Sequence, residues 1–163
     1  MTEGTSPSST RADEGVLRRG RVSWLTHPPS GSGRVGVDRL PTIDSTTFHA
    51  VPVSLPEGDP DPEAATPGEL LAVAHATFMA AALAEGLTYS GSPASEIVVE
   101  AVCAFAGPFP ERDLVALDFN VSGNVPGVDA AGFRHAAESA RSRSLRSVAA
   151  RDDLPGELQV ELY

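Results

Sequence analysis

Few side chains in this chain of 163 residues could act as nucleophiles or metal ligands. Cys103 is the single cysteine, so no disulfide can form within the chain and no cysteine-based zinc site can be built. Its surroundings, Val-Cys-Ala-Phe, predict a small buried residue. The histidines are scattered, without the close spacing of a metal-binding motif: His27, His49, His75 and His135. No metal or other cofactor is therefore expected.

The basic residues suggest a second kind of chemistry. All 12 of them are arginine, which excludes a lysine Schiff base and a lysine-anchored pyridoxal phosphate. Three arginines cluster in residues 141–147, Arg-Ser-Arg-Ser-Leu-Arg-Ser. Arginine forks bind carboxylate and phosphate well, so Arg141, Arg143 and Arg146 form a candidate anion site. The alternative is that these arginines complement the dipole of a helix C-terminus.

Charge and composition limit the classes of function. The net charge of −10 argues against general nucleic-acid binding, which depends on neutralising phosphates. No apolar run is expected to reach the length of a bilayer span, and the N-terminus lacks the apolar region of a signal peptide. The chain is therefore predicted to be cytoplasmic, without a membrane partner. Residues 1–14 are predicted to be a disordered tail, and residues 15–163 a single domain.

One helix is predicted with particular clarity at residues 69–86. Thr66 is a candidate N-cap, Pro67 suits the first helical position, and Glu69 completes a capping box. Gly86 is predicted to end the helix. Nearly every residue in between is apolar, so the helix must be buried on all sides. One small domain cannot easily enclose such a helix, and this predicts a partner subunit.

Strands are predicted on both sides of this helix from apolar runs bounded by turn residues. Residues 95–105 and 114–122 are expected to form an antiparallel hairpin. Asp129 is predicted to cap a second helix over residues 130–142. The remaining predicted strands are residues 16–26, 33–38, 45–55 and the closing edge strand 158–163.

Two segments carry a resemblance to a known family. Residues 66–84 read Thr-Pro-Gly-Glu-Leu-Leu-Ala-Val-Ala-His-Ala-Thr-Phe-Met-Ala-Ala-Ala-Leu-Ala. This segment resembles the central helix of the OsmC/Ohr family, whose pattern runs Asn-Pro-Glu-Glu-Leu and then Ala-Ala-His-Ala-Ala-Cys-Phe. Residues 122–133, which contain Val-Pro-Gly-Val-Asp, are similar to the segment before the family's second helix. The resemblance implies an α+β, OsmC-like fold, with antiparallel sheets packed around two main helices in an intertwined homodimer.

The family consists of thiol-dependent peroxidases that reduce organic hydroperoxides, and this chain departs from it at the reactive positions. Phe78 stands at the position of the first family cysteine, Ser144 at that of the second, and Gly68 at that of the catalytic glutamate. The family arginine lies in a loop that corresponds to residues 30–34, where Arg34 is the one basic residue. Peroxidase chemistry needs an attacking thiolate and a resolving thiol. The resemblance therefore implies the fold without the thiol chemistry.

Three hypotheses on function follow. The first is a redox-dead OsmC-like dimer whose interface pocket binds a small molecule with an apolar body, with possible non-redox acid–base catalysis in specialised metabolism. The second is a structural or regulatory partner protein without catalysis. The third is a hydroperoxide reductase that uses Cys103.

The first hypothesis assigns roles to residues that the resemblance singles out. Its candidates for acid–base catalysis are His75, Glu69 and Arg34. Its ligand-binding candidates are Phe78, Arg143, Ser144 and Arg146. For His75 the alternative is a core histidine whose ring bonds to a backbone carbonyl. An arginine beside the pocket favours a ligand with an anionic end.

Overall fold

A computed structural model describes residues 16–25, 32–37, 43–44, 65–108, 111–147 and 154–163. The predicted tail, residues 1–14, and the predicted strand at 45–55 lie outside these residues. The described elements are β1 (Val16–Leu25), β2 (Ser32–Val37), β3 (Ile43–Asp44), α1 (Pro67–Tyr89), β4 (Glu96–Ala106), β5 (Asp113–Asn124), α2 (Ala130–Ser147) and β6 (Leu158–Leu162).

The strands form one six-stranded sheet in the order β3-β2-β1-β4-β5-β6. The predicted hairpin is confirmed, since β4 and β5 pair antiparallel along their length. The predicted edge strand is also confirmed, but β6 runs parallel to β5, with Phe119 opposite Leu158 and Gly123 opposite Leu162. A parallel neighbour needs a crossover connection, and α2 supplies it. The sheet is otherwise antiparallel, as the resemblance implied, and this edge pair is its one parallel pairing among the described strands.

Both helices pack on the same face of the sheet, which gives the α+β class that was predicted. Helix α1 contacts β1 and β4, and α2 contacts α1 and β6. Alternate residues of β4 and β5 face the helices, as the period of a strand requires. The buried members of this set include Ile97, Val99, Ala101, Cys103, Leu117, Phe119 and Val121.

Helix α1 begins where the capping box predicted. The carboxylate of Glu69 accepts a hydrogen bond from the Thr66 backbone N–H at 2.7 Å, and the Thr66 hydroxyl oxygen accepts one from the Glu69 N–H at 3.4 Å. Pro67 occupies the first turn, where its missing N–H is not needed. The helix therefore starts from purely local signals in the sequence.

The predicted end of α1 at Gly86 is wrong, because the helix continues to Tyr89 and is capped by Ser90. Gly86 lies where α1 meets the Arg143 side chain of α2. A Cβ built on it would lie 2.6 Å from Nη2 of Arg143, whose guanidinium crosses α1 there. Gly20 of β1 plays a similar role, since a Cβ on it would collide with the α1 backbone at Val73.

The single chain buries α1 on one side only, as expected if one small domain cannot enclose this helix. Its sheet-facing side is buried, but Leu70, Leu71 and Phe78 on the opposite side are exposed. No apolar run was expected to reach the length of a bilayer span, and this expectation needs correction. By length and composition alone, α1, with 23 residues, could cross a membrane. Core helices of folded domains pass the same test.

Helix α2 starts as predicted and is longer than predicted. The Asp129 carboxylate accepts a hydrogen bond from the Gly132 N–H at 2.7 Å, which caps the first turn. The helix continues to Ser147. Phe133 packs against Gly123 of β5, where a Cβ would approach the ring to 2.9 Å. This contact seats α2 on the sheet.

Candidate functional site

The exposed side of α1 carries an apolar strip in the middle of the helix. Leu70 is 40% exposed, Leu71 38% and Phe78 44%, and Ala81 is exposed one turn further on. Residues three and four apart in a helix lie on the same side, so these four side chains form one surface. We call Leu70, Leu71, Phe78 and Ala81 the exposed stripe. Sequence analysis missed its leucines, although their helical spacing with Phe78 could have revealed them.

Ser144 on α2 faces the residue beside Phe78. Its side chain is buried, and its Oγ lies 4.0 Å from Sδ of Met79. The Ser144 hydroxyl also donates a hydrogen bond to the Arg141 carbonyl oxygen at 2.9 Å. Met79 belongs to the buried side of α1, whereas Phe78 belongs to the exposed stripe. Ser144 therefore faces α1 next to Phe78 in sequence, at Met79. The Phe78 side chain itself points to the other, exposed side of α1.

Arg141 and Arg146 of the candidate anion site line one hollow of about 350 Å³, whereas Arg143 points toward α1. Arg141 donates a hydrogen bond to the Gly156 carbonyl oxygen at 2.9 Å, which ties α2 to the chain just before β6. Arg143 donates to the Ala82 carbonyl oxygen at 2.6 Å, on the α1 side. Arg146 is exposed. The described contacts of Arg141 and Arg143 are therefore structural, and the structure does not gather the three side chains around one point.

Arg143 is also partly neutralised by an acidic neighbour. Its Nη1 lies 3.8 Å from Oε2 of Glu85 on α1, and both side chains keep substantial contact with solvent. An exposed ion pair of this kind contributes little to stability. It does reduce the positive charge that a ligand at this end of the exposed stripe would meet.

His75 lies in the middle of α1 and is 3% exposed. Burial lowers the pKa of its imidazole below the ordinary value, because the charged form loses its hydration. The ring is therefore neutral at pH 7. The expected bond from the ring to a backbone carbonyl is not found among the residues that the structure describes.

Two other candidates for catalysis have clear positions. Glu69 is buried, and its Oε2 accepts hydrogen bonds from both the hydroxyl and the backbone N–H of Thr66. This is a structural role at the helix start. Arg34 was expected in a loop but lies in β2, where its backbone pairs with Ser23 of β1 and Asp44 of β3.

The thiol of Cys103 is placed where a peroxide cannot reach it. Cys103 is fully buried on the helix-facing side of β4, opposite Leu117 of β5. Burial raises the pKa of the thiol from an ordinary value of 9.0 to about 12. The thiolate is the nucleophilic form of cysteine, so this thiol is inert at neutral pH.

The opposite face of the sheet holds a polar hollow of about 360 Å³ that sequence analysis did not predict. Its polar lining alternates along the strands, which is the signal that the sequence offered. The polar residues are Arg21, Glu100, Asn120, Ser122, Gln159 and Glu161. Asn120 donates a hydrogen bond to Glu100 at 3.0 Å. Among the described residues, no cluster of three or more histidine, cysteine or acidic side chains could hold a metal ion.

Comparisons with known proteins give structural similarities but no sequence match. No family model and no curated protein matches the chain. The chain is similar to the crystal structure of an organic hydroperoxide resistance protein from Elizabethkingia anophelis, with a TM-score of 0.49 and 19% sequence identity. The similarity covers 86% of this chain and 92% of that one.

Proposed function

We propose that this chain is an OsmC-like protein without thiol chemistry, which binds an apolar small molecule on the exposed stripe of α1. The proposal rests on one observation above all. Phe78, at the position where the family has its reactive cysteine, is a large apolar side chain that is 44% exposed. A surface of this kind on a folded protein marks a site of interaction more often than chance exposure does.

The state of the cysteine supports the exclusion of peroxidase chemistry. Cys103 is buried, its pKa is raised to about 12, and it lies on β4 and not on α1. The exposed stripe has no sulfur. A hydroperoxide reductase would need a reachable thiolate and a second thiol to resolve the sulfenic acid. We therefore expect no turnover of alkyl hydroperoxides with a dithiol reductant.

We propose that a second copy of the chain packs against part of the exposed stripe. The chain carries a net charge of −10, so self-association is favoured only through a surface without negative charge. From Leu70 to Ala81 the helix has no charged residue. A twofold pairing of α1 with its copy would bury Phe78 of both chains around one axis. The proposed assembly is a cytoplasmic homodimer with the ligand beside this axis.

The proposed ligand has an apolar body, because leucine and phenylalanine side chains line the site. Arg143 lies at one end of the stripe with Glu85, and the ion pair weakens the case for an anionic group on the ligand. Acid–base catalysis would fall to His75, the buried imidazole of α1. Leu71 and Phe78, rather than the arginines, are the residues that would shape the pocket.

The test uses N-phenyl-1-naphthylamine, an uncharged apolar probe whose fluorescence rises in an apolar site. We expect the wild-type protein to bind it and Phe78→Ala to change its Kd by about tenfold, since a large part of the apolar surface is removed. Val115→Ala is the matched control, because Val115 is 41% exposed on β5, away from α1. Light scattering on the same samples should give twice the chain mass.

Three results would count against the proposal. If Phe78→Ala and Val115→Ala both leave the probe affinity unchanged, the stripe is not the binding site. If no probe binds and the protein is a dimer, the second hypothesis, a structural or regulatory partner protein, gains support. Turnover of a hydroperoxide that Cys103→Ser abolishes would instead support the peroxidase hypothesis.

A further inference from the structure

The two edges of the six-stranded sheet differ in how much backbone they leave open. Among the strands that the structure describes, β3 and β6 each pair on one side only. Strand β3 has two residues, whereas β6 has five. Very short strands, prolines, bulges and charged side chains protect an edge against pairing with another strand. Within its five residues β6 has only the charge of Glu161, so this edge is open to pairing.

The hydrogen bonds between β6 and β5 show which backbone groups of β6 are unused. The Glu157 carbonyl oxygen accepts a hydrogen bond from the Phe119 N–H at 2.9 Å, and the Tyr163 N–H donates one to the Gly123 carbonyl oxygen at 3.1 Å. Successive residues of a strand direct their backbone groups to opposite sides. Every second residue of β6 therefore points its N–H and C=O groups along the open edge: Leu158, Val160 and Leu162.

The side chains of β6 make the same edge attractive to a further strand. Leu158, Val160 and Leu162 are half-buried and pack against the core, so part of their apolar surface stays exposed beside the open edge. Gln159 and Glu161 are exposed on the opposite face of the sheet. A strand added at an open edge uses its main-chain groups for affinity and its alternate side chains for specificity.

The sequence of β6 is complementary to itself in one antiparallel register. With a twofold axis at Val160, the outward N–H and C=O groups of each copy meet those of the other, and Gln159 lies opposite Glu161 of the copy. An amide can donate a hydrogen bond to a carboxylate. Moving the axis by one residue places Glu161 opposite Glu157 or opposite its own copy, and like charges in such pairs are destabilising. Only the axis at Val160 avoids both.

We infer that β6 pairs antiparallel with β6 of a second copy of this chain, around a twofold axis at Val160, so that two sheets become one continuous sheet. This contact is separate from the exposed stripe and does not rest on the proposed function. Pairing of two five-residue strands makes a small contact, so it is weaker than the proposed pairing of α1 and forms at higher protein concentration. Two different twofold contacts on one chain build assemblies larger than a dimer.

The first experiment measures association by sedimentation equilibrium over a series of protein concentrations. The mass of the wild-type protein should keep rising with concentration. Gln159→Glu should weaken this association about tenfold, because the axis places two like-charge pairs in the contact. Gln159→Glu combined with Glu161→Gln should restore it, since each carboxylate again faces an amide. Val115→Glu is the control for net charge, because Val115 is exposed on β5 outside the residues that pair with β6.

The second experiment tests the register by disulfide formation. Two variants in a Cys103→Ala background carry either Gln159→Cys or Glu161→Cys. In the inferred register these two positions lie directly opposite each other, with Cα atoms about 4.5 Å apart, whereas two copies of one position lie diagonally, beyond the reach of a disulfide. Oxidation with copper phenanthroline should therefore give a covalent dimer in a mixture of the two variants and little in either variant alone.

The failures of the two proposals are distinguishable. A wild-type mass that stays constant with concentration, or an association that Gln159→Glu leaves unchanged, overturns the inference about β6. Cross-linking that is equal in the mixture and in the single variants also overturns it, because it shows collision without a fixed register. Phe78→Ala should leave the cross-linking of the mixture unchanged, so a failure of the apolar site on α1 leaves the β6 contact in place.

Discussion

Strand β4 and helix α1 differ in what they offer for chemistry: β4 carries the single thiol, and α1 carries the exposed position. On β4 the chain has a thiol, Cys103, that is fully buried and has a pKa raised to about 12. On α1 it has an exposed position, Phe78, whose side chain is a hydrocarbon. Reactivity needs a nucleophile and access in one place, and neither region offers both. The burial of a residue therefore decides its chemistry as much as its type does.

The largest expected effect is on the reactivity of Cys103. A pKa raised from 9.0 to about 12 lowers the thiolate fraction at neutral pH by about a thousandfold. Alkylation by iodoacetamide should therefore be at least about a thousandfold slower in the folded protein than in the protein unfolded by urea. Phe78→Cys in a Cys103→Ser background is the matched comparison, because it moves the single thiol to the exposed stripe. Equal labelling rates for the two thiols would show that burial on β4 does not protect Cys103.

A second prediction compares the two sides of α1. Met79→Ala should lower the free energy of unfolding by about 2–5 kcal/mol, because it leaves a cavity between α1 and α2. Phe78→Ala should cost much less in a protein held as a monomer by dilution, since Phe78 is already 44% exposed. Urea unfolding of both variants measures this difference. A loss of about 3–5 kcal/mol for Phe78→Ala would show instead that Phe78 is a core residue.

The smallest expected effect concerns pH. The pKa of His75 is lower in the folded protein than in the unfolded chain, so the unfolded state binds more protons at acidic pH. The contribution of His75 to stability should therefore fall as pH drops below the ordinary pKa of histidine, and it should level off below the lowered pKa. Thermal melting between neutral and acidic pH should show this trend. His75→Gln should lose this part of the pH dependence, and His135→Gln should retain it.

Much of the fold was predictable because its signals are local. The start of α1 follows from Thr66, Pro67 and Glu69, which satisfy the first turn among themselves. The β4–β5 hairpin follows from alternation between the two faces of a sheet, and the start of α2 from Asp129. These predictions are confirmed because each depends on residues that are close in sequence.

The candidate site could be predicted only in part. Sequence alone identified α1, Phe78 and Ser144 as places of interest, through a resemblance. It did not reveal that Met79, and not Phe78, faces Ser144. Nor could it separate Arg141 from Arg143, because the direction of each side chain depends on the elements packed on either side of α2.

The amino-acid sequence by itself determined where the main elements begin, that the chain has one thiol, and that no lysine chemistry is available. Tertiary structure decided the rest. Helix α1 continues past Gly86 to Tyr89, where Ser90 caps it, and β6 runs parallel to β5 because α2 supplies the crossover. The exposed stripe exists because the sheet and α2 cover only part of α1. Each of these outcomes depends on contacts between distant residues, and local patterns do not record such contacts.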